Sequence, residues 1–387
     1  MYAAICLVFS SNLWHADMSQ SAMLRWLSRD LPEVLKCLRK IPCSVSLEGL
    51  DCELLPALQG FYLDPGKAEV ISREWAHPFS DWLSDTLALK NFTLCEDTHP
   101  VQFSAEYSIP SKSVTRSLVK QRGEVAFYML DKFTRFYSTD FSSVDMPVNK
   151  RMESDLSAME YEGAVLMRMR SRLFEPILRA WYSYQARPSP EALAKLEAVI
   201  ALKLRDADRR GIPVIFVPMD IESCVVGSHH GSEVFVNVIE MIMKAGFPLV
   251  TPTQAYHELR GQAVHTDLRP GRSTFKWEGS PLQGQLRKRW RDAVMNLIPT
   301  DVRATKIALM AAGSDGFVVE RYQSEQSPAS IPTLAMPIRI GGANHAAYLL
   351  QQYAISTYFR AEDLLKKIQL NRQELALLDL AENWLSV

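Results

Sequence analysis

Three acidic side chains stand where strand-like apolar stretches run out: Glu69 in Gly66-Lys67-Ala68-Glu69-Val70, Glu106 after Gln102-Phe103-Ser104-Ala105, and Asp220 in Val217-Pro218-Met219-Asp220-Ile221-Glu222. Carboxylates at the ends of neighbouring parallel strands converge on one mouth. Breaking a glycosidic bond takes two of them, one to donate a proton and one to act as nucleophile or base. Any one of the three could equally well be a surface or hydrogen-bonded structural carboxylate. Their ordered recurrence at strand ends favours the chemical role.

Other residue types offer different chemistry. His229-His230, close to Asp220 and Glu222, supplies donors that suit zinc. Adjacent residues rarely aim at one ion, however, and residues 228–232 also fit the start of a helix. A metal-dependent deacetylase built on an Asp and two histidines stays as an alternative, although the spaced His-x-x-x-His pair it calls for is not evident. Trp14 and Trp75 flank strand ends and could stack on the apolar face of a sugar ring, whereas Trp82 and Trp181 read as packing. Arg168, Arg170 and Arg172, two apart, would point to different faces of a helix and suit solvated ion pairs. There is no Gly-x-Gly-x-x-Gly or Walker-type loop, so no nucleotide, and no cofactor of any kind, is expected.

The elements that must position these residues alternate. The apolar run 2–9 reads as a buried first strand, and residues 19–39 carry apolar side chains at helical spacing. Short strands are expected at 42–47, 67–71, 101–106, 124–130, 213–218 and 248–250, with helices at 111–121, 191–210 and 232–245. Residues 140–187 read as an insertion carrying helices, including the stretch 166–172. Successive strand–helix units imply an α/β protein with a parallel sheet, and about seven of them make a (β/α)7-type barrel with its chemistry at the strand C-termini. The expected division is a barrel domain over residues 1–262 and a mainly helical C-terminal region over 263–387, with helices at 283–297, 344–367 and 372–385.

Composition narrows the partners. The 387 residues suffice for one large barrel and an accessory region. The 43 Lys and Arg nearly cancel the 44 Asp and Glu, which argues against nucleic acid or an anionic membrane. No apolar run is long enough to span a bilayer. The six cysteines lack CxxC spacing, so reduced thiols and a cytoplasmic protein are expected, with a homo-oligomer left open.

Several segments, in order, resemble the family 57 glycoside hydrolases. Residues 66–79 look like the family's Gly-x-x-Glu segment with a following His-Pro, here His77-Pro78, and Gln102 to Glu106 sits where the family has its nucleophile. Residues 217–227 look like the segment carrying the acid/base aspartate, and 246–256 like the strand and Thr-Pro turn that close the barrel. Ala312-Gly313-Ser314-Asp315-Gly316-Phe317 is similar to the family's Ser-Asp element. The resemblance implies a carbohydrate substrate and a retaining hydrolase or transglycosylase acting on an α-linked sugar. Glu106 would be nucleophile and Asp220 acid/base, with the two carboxyls about 5–5.5 Å apart. Glu69, His77 and Glu222 would shape the sugar subsite. One motif departs: the family's His-x-His-Gln-Pro is replaced by Phe9-Ser10-Ser11-Asn12-Leu13-Trp14-His15, leaving Asn12 and His15 as the nearby polar groups, and Phe103 replaces the family's Trp before the nucleophile. This departure motivates a third alternative, a carbohydrate-binding protein on a catalytically degenerate scaffold.

Overall fold

The computed structural model describes residues 3–11, 25–54, 56–76, 83–95, 99–104, 107, 109–130, 134–137, 156–225, 229–265, 269–272 and 301–311. In chain order the first elements are β1 (Ala4–Ser10), α1 (Leu31–Leu38), β2 (Ser44–Ser46), α2 (Gly49–Leu54), α3 (Pro56–Leu63), β3 (Glu69–Arg73), α4 (Asp85–Thr93), β4 (Val101–Phe103), α5 (Lys112–Arg122) and β5 (Ala126–Leu130). There follow β6 (Thr134–Tyr137), β7 (Ala158–Tyr161), β8 (Ala164–Met169), α6 (Ser171–Ala186), α7 (Pro190–Arg209), β9 (Val214–Asp220), α8 (Glu233–Lys244), α9 (Pro252–Arg260), β10 (Val264–His265), β11 (Arg269–Arg272) and α10 (Val302–Ala311). The chain divides into two compact units, one of residues 1–11, 25–73 and 95–273, the other of residues 12–24, 74–94 and 274–387.

The first unit is an α/β body around a nine-stranded sheet in the order β10, β7, β8, β5, β4, β3, β2, β1, β9. The seven strands from β8 to β9 are mutually parallel, as the strand–helix alternation predicts. β1 is buried at every position, as a strand covered on both faces must be. Its alternation decides what lies on each side: Phe9 packs edge-on against Phe235 of α8, with ring centroids 5.7 Å apart, while Cys6 faces the other way, its Sγ 3.9 Å from the Tyr128 hydroxyl on β5. Tyr128 also meets Phe216 of β9 at 5.3 Å. β5 lies four places from β1 and five from β9 in the sheet, so the sheet curls until its concave face meets itself.

Residues Ala164–Met169, expected in a helix, instead form β8, a member of the parallel set. Arg168 and Arg170 therefore do not lie on helix faces. The hairpin that delivers β8 turns at Glu162 and Gly163, both with positive φ (52° and 84°), the backbone of a tight two-residue connection. β7 runs antiparallel to β8 and carries β10 at the sheet edge. The strand expected at 248–250 is reduced to one parallel bridge, Ile5 to Leu249. Cys6, Cys37, Cys43, Cys52 and Cys95 form no disulfide among the described residues. Among the described residues no helix is long and apolar enough to cross a membrane.

The start of α8 is organised from far away in sequence. The Asp30 carboxylate, 1% exposed, accepts a hydrogen bond from the Ser232 backbone N–H at 3.2 Å, satisfying a helix N-terminus whose own cap residue makes no side-chain bond. Arg25 and Arg29 lie within 3.5 and 3.7 Å of that carboxylate and balance its charge. Gly231 passes directly over it with φ +57°, and a Cβ there would fall 2.7 Å from Asp30 Oδ1.

In the second unit, Ser84 caps α4 by accepting from the Leu87 N–H, and the Asn91 side chain bonds both backbone groups of Ala76. α10 packs on α4. The helices expected at 283–297, 344–367 and 372–385 and the Ser-Asp element at 314–315 lie outside the described residues.

Gly231→Ala combines a left-handed backbone with a clash against a buried carboxylate. It should lower the stability of the first unit by about 1–3 kcal/mol, read as a reduced midpoint in urea unfolding.

Candidate active site at the strand exits

Polar and charged side chains gather at the C-terminal ends of several of the parallel strands. Asp220 closes β9 and Ser10 closes β1, and the two are register partners along seven consecutive pairs. In a parallel pair, partners project to the same side, and the Ser10 hydroxyl donates to Asp220 Oδ1 at 2.9 Å. The Ile221 N–H extends the ladder by one bond, to the Ser10 carbonyl at 2.9 Å. On its other side, the Ser11 N–H donates to the Ser46 carbonyl at the end of β2, at 2.8 Å.

Next to this pair lies a buried ion pair. Arg73, the last residue of β3, donates through Nη2 to Glu48 Oε1 at 2.6 Å and through Nη1 to Ser11 Oγ at 3.0 Å, and both nitrogens reach the Ser11 carbonyl at 3.3 Å. The Glu48 backbone N–H donates to the same Ser11 hydroxyl. Both charged side chains are almost fully enclosed, at 2% and 3% exposure. The guanidinium lies over the Phe103 ring at 5.3 Å, and Phe103 in turn packs edge-on against Tyr107 at 5.1 Å. Tyr107, the residue after Glu106, holds φ +55°, a left-handed backbone unusual for a bulky side chain, and donates its N–H to the Ser104 carbonyl.

Comparison with known proteins bears on the fold. No protein-family model and no curated protein matches this sequence. Among solved structures, a GH57-type branching enzyme from the hyperthermophilic archaeon Pyrococcus horikoshii superposes with a TM-score of 0.57 over 100% of this chain and 95% of its own, at 12% identity. An α-amylase from Thermotoga maritima gives 0.54 over 99% and 97%, at 11% identity. The chain has the fold of the family 57 glycoside hydrolases.

Within that fold the expected site residues fare unequally. Asp220 stands at a strand exit, where α/β barrels carry their chemistry. Glu222 follows in a short turn and is buried. Glu106, His77, Asn12, Trp14 and His15 lie outside the described residues. Glu69 is a correction: it opens β3 instead of closing it, four residues, or about 13 Å of extended chain, before Arg73. Its partners belong to the strand-entry end. His99 Nε2, two residues ahead of β4, is 3.3 Å away, and the Thr253 N–H in the first turn of α9 donates at 2.9 Å. His99 Nδ1 accepts from the Val101 N–H, which leaves Nε2 to carry the proton that Glu69 accepts. Burial alone would raise the Glu69 pKa, but hydrogen bonds from His99, Thr251 and Thr253 outweigh it and hold it at about 2. Glu69 is thus a latch joining β3, the approach to β4 and α9.

Trp75 is a second correction. It is 1% exposed, and the Lys306 ammonium sits 5.3 Å from its ring centroid, so it packs and offers no open face to a sugar. His229 and His230 are exposed, and among the described residues no group of three His, Cys, Asp or Glu side chains is placed to hold a metal. Sequence reasoning passed over Glu48 and Arg73, and it noted Ser10 and Ser11 only as a departure from a motif. A charged residue following the apolar Val70-Ile71 core of a short strand, as Arg73 does, was the available signal.

Removing one partner of the buried pair, as in Arg73→Met, should cost about 3–5 kcal/mol in urea unfolding, and Arg73→Met combined with Glu48→Leu should recover most of it. Because the Glu69 pKa is lowered from 4.5 to about 2, the unfolded chain takes up that proton first; the stabilisation is complete above 4.5 and is lost as pH falls towards 2. The thermal unfolding midpoint of the wild type should fall more steeply across that interval than that of Glu69→Gln.

Proposed function

We propose that this protein is a retaining glycoside hydrolase or transglycosylase acting on an α-linked sugar, with Glu106 as nucleophile and Asp220 as acid/base. The observation that carries the proposal is the Asp220 carboxyl at the exit of β9, held by Ser10, in a fold shared with a branching enzyme and an α-amylase. In the first step a Glu106 carboxylate oxygen attacks the anomeric carbon while Asp220 passes its proton to the departing glycosidic oxygen, leaving a glycosyl ester on Glu106. In the second, Asp220 takes a proton from water, or from a sugar hydroxyl in a transfer, and that oxygen displaces Glu106. Phe103, under the Arg73 guanidinium, and Tyr107, packed edge-on against Phe103, flank the nucleophile in sequence.

A second proposal, carbohydrate binding without turnover, draws support from the Ser11–Glu48–Arg73 network, whose charges are spent on each other at the exits of β1 to β3. One panel separates the two: aryl α- and β-glycosides and short α-glucans with wild type and Glu106→Gln. Turnover by the wild type, falling by at least about 10³-fold in the variant with its unfolding midpoint unchanged, is expected. Equal turnover in both would remove Glu106 from the mechanism, and sugar binding with no turnover in either would favour the second proposal.

A further inference from the structure

We infer that Ser10 is the positioning residue of the Asp220 carboxyl, holding Oδ1 so that the proton is transferred through Oδ2; this rests on Asp220 being the acid/base proposed above. The β1–β9 register places the two side chains on the same side of the sheet, and the Ser10 hydroxyl donates to Oδ1 at 2.9 Å. Ser10 itself has little freedom. Its carbonyl accepts from the Ile221 N–H, the next residue is tied to β2 through the Ser46 carbonyl, and Ser10 is 2% exposed. A hydrogen bond from a fixed donor to one oxygen makes the two oxygens of a carboxyl inequivalent.

The bond gains strength as the reaction proceeds. The Oδ2–H bond breaks, its proton joins the glycosidic oxygen, and the electron pair of the breaking bond to the anomeric carbon stays on that oxygen. The carboxyl is left with a negative charge shared by Oδ1. A neutral acceptor of the Ser10 hydrogen bond thereby becomes an anionic one, and such bonds are about twice as strong. The hydroxyl thus binds the transition state better than the ground state, which is the condition for catalysis.

The test is the leaving-group dependence of kcat/KM for aryl glycosides, since a strongly acidic phenol departs without a proton and a weakly acidic one does not. Ser10→Ala should lose about tenfold on weakly acidic phenols and little on strongly acidic ones, with Ser10→Thr restoring most of the loss. Asp220→Asn should show the same pattern with a deeper loss, about 10²–10⁴-fold. If Asp220→Asn behaves so while Ser10→Ala matches the wild type, or loses equally on all phenols, the positioning role is overturned and the acid/base assignment stands. If Asp220→Asn matches the wild type, or no glycoside is turned over, the acid/base assignment fails and the role of Ser10 fails with it.

Discussion

A strand with no exposed face must satisfy its backbone through neighbouring segments, and β1 does so through β9 on one edge and through β2 and the Ile5–Leu249 bridge on the other. It pairs residue for residue with β9 over its whole length, and with β2 over its last three residues. Slipping β1 by one residue would turn its concave-facing side chains towards the helices and move Phe9 away from Phe235. That register is therefore strongly specified by packing, and the placement of Ser10 against Asp220 follows from it. The site geometry at these two strands is a by-product of core packing, with no loop needed to build it.

The two ends of the sheet treat charge differently. At the exit end, Glu48 and Arg73 are removed from water, and the groups they touch are themselves fixed: Ser11, which accepts from Arg73, by β2, and Phe103, whose ring lies under the guanidinium, by β4 and Tyr107. Such a pair adds little net stability but penalises arrangements that would separate its members. At the entry end, the Glu69 carboxylate collects donors from His99 and the first turn of α9, which makes it an anchor between strands and a helix. Asp30 does the corresponding service for α8. In all three cases, an acid wholly or partly shielded from water joins segments that are distant in sequence.

The alternation of apolar runs with 3.6-residue periodicity was enough to locate β1 to β5, α7, β9 and α8 within a few residues, because these elements are long or buried on both faces and few backbone conformations suit such a pattern. The order of the strand-end motifs pointed to the fold that structural comparison supports. Asp220 could be placed at a strand exit from Val217-Pro218-Met219-Asp220 alone, since the apolar run stops there.

Tertiary structure decided the rest. Glu69 follows a Gly turn and adjoins an apolar strand, and nothing local says whether such a residue opens or closes it; the pairing of Ser44 with Glu69 does. Ala164–Met169 is dominated by residue types that favour helices (Ala, Leu, Met and Arg), and became a strand because its backbone completes the ladder of β5. Trp75 was legible as aromatic but not as enclosed, since burial is a property of what surrounds a residue. Ser10, Glu48 and Arg73 have no spacing in sequence that joins them, and only the parallel register and the curl of the sheet bring them to the exits of adjacent strands. Local propensity and periodicity act over a few residues, so the sequence by itself determined the elements and the candidate acids, whereas which end of the sheet each acid occupies, and what it touches, depended on contacts between distant segments.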